Sequence, residues 1–215
     1  MELTNITQLL SGYDNALFAS FIVSILIIVS GRIHLRYSSR SKEHLEVQKI
    51  HVGSIPRIGG LAILAGCAYG WYGIENFSAK YLGYIVISGM PILILGLLDD
   101  LYFRVRPIYR LLGASISSII AIFLLDTWMT RVDVVFFDRL FYIAPFAILF
   151  TVFATTGVTH AFNLIDGLNG LSLGISLSTS FFLTVVAWLT SDALVVLLSL
   201  IFFLSTLGLF LLNFP

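Results

Sequence analysis

Seven stretches of the chain are almost wholly apolar, each crossing or nearly crossing a bilayer as a helix, for which about 20 residues suffice. They run from Ala16 to Gly31, Ile58 to Gly73, Tyr81 to Leu98, Leu111 to Leu125, Leu140 to Thr156, Leu171 to Leu189 and Ala193 to Leu212. Polar residues gather in short knots between them and form no soluble segment. The pattern predicts an all-α integral membrane protein of about seven transmembrane helices. No fixed-period repeat or low-complexity stretch interrupts it, so residues 1–215 read as one polytopic membrane domain.

Composition agrees: 58% of residues are hydrophobic and 11% charged, against about 25% charged in a soluble domain. Lys+Arg and Asp+Glu each total 12, so net charge points to no partner beyond the lipid bilayer, and nothing supports nucleic-acid binding. The distribution of charge says more. With the N-terminus outside and the C-terminus cytoplasmic, the inside segments are Arg32 to Arg57, Asp99 to Arg110, Gly157 to Gly170 and the C-terminal end. They hold Arg32, Arg36, Arg40, Lys42, Lys49, Arg57, Arg104, Arg106 and Arg110, nine of the 12 cations. Outside lie only Lys80, Arg131 and Arg139, as the positive-inside rule requires. Met1 to Asn15 contains no Lys or Arg, so the first span reads as an uncleaved anchor. The outside connection Asp126 to Arg139 suits an amphipathic stretch in the interface. Cys67, the single cysteine, reads as a small buried hydrophobe.

The topology brings three polar knots to one face. The first is Lys49-Ile-His51-Val-Gly-Ser-Ile-Pro56-Arg57-Ile-Gly59-Gly60, a cationic loop suited to phosphate, which Arg binds bidentately and Lys as a point charge. A positive flank with a Gly-Gly bend explains it equally well. The second is Asp99-Asp100 at the end of an apolar run, followed by Arg104, Arg106, Pro107 and Arg110. Carboxylates at a helix C-terminus face the negative end of its dipole, so a cation should balance them: an arginine, a metal, or a metal-phosphate group. Adjacent helical residues point about 100° apart. One carboxylate is therefore expected near the metal or reacting phosphate, the other held by an arginine. An interfacial ion-pair cluster is the plainer reading. The third knot is His160-Ala-Phe-Asn163-Leu-Ile-Asp166-Gly167-Leu-Asn169-Gly170. Asn163, Asp166 and Asn169 recur every third residue, which on one helical turn or a tight loop projects oxygens to one side. His160 is by base rate an interfacial histidine.

In order and spacing these three knots resemble the polyprenyl-phosphate N-acetylhexosamine-1-phosphate transferases of bacterial membranes. The resemblance runs from the first span to the end of the chain. Pro56-Arg57-Ile-Gly-Gly60 is more similar to the branch that initiates O-antigen, lipopolysaccharide, teichoic acid or related surface polymers than to the peptidoglycan branch. The resemblance implies transfer of a sugar 1-phosphate from a UDP-N-acetylhexosamine, such as UDP-N-acetylglucosamine, to undecaprenyl phosphate at the inner membrane, with Mg2+ as cofactor. By position, it implies Asp99 as the carboxylate that deprotonates or orients the lipid phosphate and Asp100 as its electrostatic partner near the metal. It implies Asp166 and Asn169 as magnesium ligands, Asn163 as part of the nucleotide-sugar site, and Lys49, His51, Arg57 and Arg110 as substrate-binding groups.

Two departures stand out. Many relatives carry an Asp where this chain has Asn169, an amide oxygen of lower charge. The family also continues past an Asn-Phe-Pro like Asn213 to Pro215 into further spans and a cytoplasmic histidine motif, so the chain is expected to be truncated and its own activity is open. Other readings stay open too. A transporter would use Asp99 and Asp100 for ion coupling, although transport acids tend to lie mid-span. Prenyltransferases and CDP-alcohol phosphotransferases need several Asp at three- or four-residue spacing, where this chain has an adjacent pair. An inactive remnant binding lipid or a partner, and pairing with a second copy as a homodimer, are further possibilities.

Overall fold

A computed structural model describes residues 13–30, 58–73, 76–101, 105–165 and 170–213. Among the described residues the regular structure is entirely helical: α1 Asp14–Val29, α2 Gly60–Gly70, α3 Asn76–Leu101, α4 Pro107–Leu125, the short α5 Val135–Asp138, α6 Ala144–Ile165, α7 Leu171–Leu189 and α8 Ala193–Asn213. Single 3-10 turns follow α2 at Trp71–Gly73 and α5 at Arg139–Tyr142. Each of the seven apolar stretches forms a helix. Five, α3, α4, α6, α7 and α8, are long and apolar enough to cross a membrane. Helix is what lipid demands, because the hydrocarbon interior offers no partner for an unpaired backbone N–H or C=O. Large apolar side chains accordingly face outward: Phe123 is 81% exposed and Leu189 75%. This is a multi-pass membrane protein.

The chain forms two compact units, residues 1–83, 100–102 and 165–215 in one and 84–99 and 103–164 in the other. In the first, α8 packs against α7, α1 and α2, and α1 against α2. Lipid tails are as apolar as leucine, so hydrophobicity alone does not bring such helices together; small residues that let backbones approach do. The contact faces follow that rule. Ala16, Ala62, Ser20, Ser205 and Ile201 are fully buried. A Cβ added at Gly208 would stand 2.7 Å from the Leu17 carbonyl oxygen, and one at Gly66 would stand 2.5 Å from Ser205 Oγ. The hydroxyls pair internally: Ser20 Oγ donates to the Ser205 carbonyl at 2.6 Å and Ser24 Oγ to the Ser20 carbonyl at 2.8 Å. Cys67 sits buried beside Ser205 Oγ at 3.8 Å, the small buried residue its context predicts.

The second unit is joined by hydroxyls. Pro91 interrupts α3, where it removes one helical hydrogen bond and strains the preceding turn. The next amide, Ile92 N–H, donates to Ser117 Oγ on α4 at 3.2 Å. Gly113 of α4 lies directly against Leu95 of α3. Between α4 and α6, Thr155 Oγ1 donates to Ser118 Oγ at 2.7 Å, and Ser115 and Thr156 hydroxyls meet at 3.2 Å. The connection between α4 and α6 folds back on α6. Phe141 is buried edge-on against Phe150 and Phe146, with ring centroids 5.0 and 5.4 Å away, while Tyr142 is 90% exposed. Aromatic residues with one dry and one wet side are those that settle at membrane interfaces.

Candidate active site

The second unit carries its polar chemistry at the end where α3 stops and α4 starts. Asp99 lies in the last turn of α3, where the helix dipole disfavours a carboxylate by a few tenths to about 1 kcal/mol. Hydrogen-bond donors offset that. Val105 N–H reaches Oδ1 at 3.1 Å, and the Arg110 guanidinium reaches Oδ2 at 3.2 Å. The geometry comes from the local sequence. Pro107 is the first residue of α4, entered from an extended Arg106 (ψ 142°), and proline's fixed φ suits that first helical position. The helix therefore starts early enough for Arg110 to sit in its opening turn, facing back to α3. The ion pair is largely shielded, with the Arg110 side chain 28% and the Asp99 side chain 14% exposed, so water screens it less than a surface pair. The arginine thus holds Asp99, the carboxylate that the resemblance assigns to the lipid phosphate, so the expected division between an arginine-held and a phosphate-facing carboxylate is not seen at Asp99. Asp100 continues the α3 helix, and its side chain lies outside the described residues.

Helix α6 runs past the apolar stretch that ends at Thr156 and carries His160 and Asn163 on its final turns. Asn163 is exposed. His160 is half-buried, and its Nε2 atom is buried with no hydrogen-bond partner among the described residues; Arg110 Nε is in the same condition. A buried polar group left unpaired costs about 1–3 kcal/mol. Gly170, the last residue of the third knot, is buried in a left-handed conformation (φ 71°) that caps the start of α7. Glycine adopts that conformation without strain. Lys49, His51, Arg57, Asp166 and Asn169 all fall outside the described residues. Among the described residues no three acidic, His or Cys side chains cluster as metal ligands. Two features escaped the sequence reading. Nothing in the sequence marks the Val105 amide. Nor does it mark the burial of His160 Nε2, since Asn163, one helical turn further on, is exposed.

The family model described as Glycosyl transferase family 4 matches residues 82–215, well over half the chain. The chain belongs to glycosyl transferase family 4. Among its relatives in that family, a probable undecaprenyl-phosphate N-acetylglucosaminyl 1-phosphate transferase of Bacillus subtilis (strain 168) is 30% identical over 91% of this chain and 55% of its own length. An undecaprenyl-phosphate alpha-N-acetylglucosaminyl 1-phosphate transferase of Salmonella typhi is 23% identical over 81% of this chain and 46% of its own length. A putative UDP-N-acetylglucosamine--dolichyl-phosphate N-acetylglucosaminephosphotransferase of Saccharolobus solfataricus is 26% identical over 74% and 48%. The chain spans about half the length of the curated relatives it matches. No solved structure matches it significantly. The family 4 match contains Asp99, Asp100, Arg110, His160, Asn163, Asp166 and Asn169, and the cationic loop from Lys49 to Arg57 precedes it.

Proposed function

We propose that this chain transfers N-acetylhexosamine 1-phosphate from a UDP-N-acetylhexosamine to undecaprenyl phosphate at the cytoplasmic face of a bacterial inner membrane. The transfer would initiate a surface polysaccharide. The Asp99–Arg110 pair, shielded at the end of α3 within the family 4 match, carries the reading. The names of the relatives favour the same substrates, and the excess of cations on one side favours the orientation.

In this reaction an oxygen of the lipid phosphate attacks the phosphorus that bears the sugar. The bond from that phosphorus to the bridging oxygen breaks, and UMP leaves with that oxygen. The chemistry asks chiefly for alignment and charge neutralisation of two phosphates, with no covalent protein intermediate. Asp99, fixed by Arg110 and Val105 N–H, orients the lipid phosphate and accepts its proton. Arg110 holds that carboxylate and extends toward phosphate. Asp100 serves as electrostatic partner, Lys49, His51 and Arg57 bind phosphate oxygens, and Asn163 shapes the nucleotide-sugar site. The donors of Asp99, Asp100, Asp166 and Asn169 are hard oxygens of the kind magnesium takes, with Asp166 and Asn169 as its ligands. Magnesium, when bound, supplies neutralisation of the charge shared by the phosphates.

The test is release of UMP from UDP-N-acetylglucosamine by the full chain in lipid nanodiscs containing undecaprenyl phosphate. Release is expected with magnesium and lost on chelation. A chain that binds neither substrate and releases no UMP contradicts the proposal.

A further inference from the structure

Among the described residues, two buried side-chain nitrogens lack a hydrogen-bond partner, Arg110 Nε and His160 Nε2. Both belong to the second unit. Their register brings them to the same level. Thr155 pairs with Ser118 and Thr156 with Ser115, while Met129 N–H, beyond the far end of α4, donates to Thr151 Oγ1 at 2.9 Å. Rising numbers on α6 thus meet falling numbers on α4, so the two helices run antiparallel. Arg110 stands five residues before Ser115 and His160 four after Thr156, so at 1.5 Å per residue they lie about 7.5 Å and about 6 Å further along in the same direction.

The position of Arg110 around its helix adds to this. Gly113 and Ser117 face α3, whereas Ser115 and Ser118 face α6. At 100° per residue Arg110 lies between those two faces. Its guanidinium already holds Asp99 through one terminal nitrogen, and the planar fork of five N–H groups allows it to hold a second anion through Nε. An imidazole with its proton on Nε2 is a donor as well. Two buried donors without acceptors among the described residues, at one level of the same unit and one of them permanently cationic, suit the oxygens of a phosphate, which forms short charge-assisted bonds with such groups.

We propose that Arg110 Nε and His160 Nε2 form a phosphate subsite, in which both donate to phosphate oxygens of a bound substrate. This rests on the transferase reading and adds His160 to it as a binding residue. The phosphate belongs either to the nucleotide or to the lipid acceptor, and the two sources separate by experiment.

The experiment is nitrogen NMR of the full chain labelled at histidine, held in nanodiscs, with the His160 signals identified by their loss in His160→Gln. One arm is titrated with UMP and the other contains undecaprenyl phosphate. The His160 Nε2 resonance is expected to shift on saturation in at least one arm. A shift with UMP assigns the subsite to the nucleotide, and a shift with the lipid assigns it to the acceptor. His160→Leu is expected to weaken that ligand about tenfold or more, while His160→Gln, which keeps an N–H near the Nε2 position, stays within about threefold. An unmoved His160 resonance in both arms overturns the subsite. UMP release in the enzymatic assay is scored separately, so the subsite can fail while the transferase reading stands, and the reverse.

Discussion

The two units of this protein satisfy their polar groups in opposite ways. Where α1, α2 and α8 meet, polarity is turned inward: Ser20 and Ser24 hydroxyls bond to neighbouring carbonyls, and glycines leave no room even for a methyl group. The second unit links its helices through Ser115, Ser117, Ser118, Thr155 and Thr156. At one end it keeps a carboxylate under an arginine and two buried nitrogens that find no partner among the described residues. The glycines do not separate the units: a Cβ at Gly113 of the second would run directly into Leu95, and Gly174 of the first, like Gly157 of the second, has nothing within 4 Å. A region built for packing closes its valences, and a region built for a ligand leaves some open.

Substitutions can break this contrast. Gly208→Leu in the first unit forces a side chain into the backbone of α1 and is expected to cost about 3 kcal/mol or more, read as a large fall in thermal unfolding midpoint in detergent. Arg110→Leu takes the guanidinium away from Asp99 at the negative end of α3, with an expected loss of about 1–3 kcal/mol, and Arg110→Lys should lose less because it keeps the charge. Ser117→Ala removes the hydroxyl that accepts from the Ile92 amide beside Pro91 and should cost about 1 kcal/mol. Gly157→Ala has open space and a helical backbone, so it should stabilise by roughly 0.5–1 kcal/mol. If Gly208→Ala proved as harmless as Gly157→Ala, the contact of α8 with α1 would not be tightly packed.

Hydropathy predicted the helices well and their ends less well. It starts α3 at Tyr81, but the helix begins at Asn76 and includes Lys80. It places His160 and Asn163 in a connecting segment, but α6 continues through Ile165. The reason is physical. Apolar runs record the thickness of lipid, whereas a helix continues as long as its backbone hydrogen bonds are made, and polar residues ride on its last turns. The Asp99-Asp100 pair at a helix end predicted a compensating cation, and Arg110 is that cation. The Val105 amide was illegible, since any residue supplies an N–H there. The burial of His160 Nε2 depends on its neighbours in space, which spacing along one helix does not reveal.

The central claim is that Asp99, held by Arg110, is the chemical centre of a family 4 transferase, and Asp99→Asn tests it most directly. The amide keeps the shape and removes the charge and the base. UMP release in nanodiscs with magnesium, UDP-N-acetylglucosamine and undecaprenyl phosphate is predicted to fall by about 10²–10⁴-fold relative to the unsubstituted chain, with the unfolding midpoint showing the variant still folded. An unchanged rate of release from a folded Asp99→Asn chain would contradict the account.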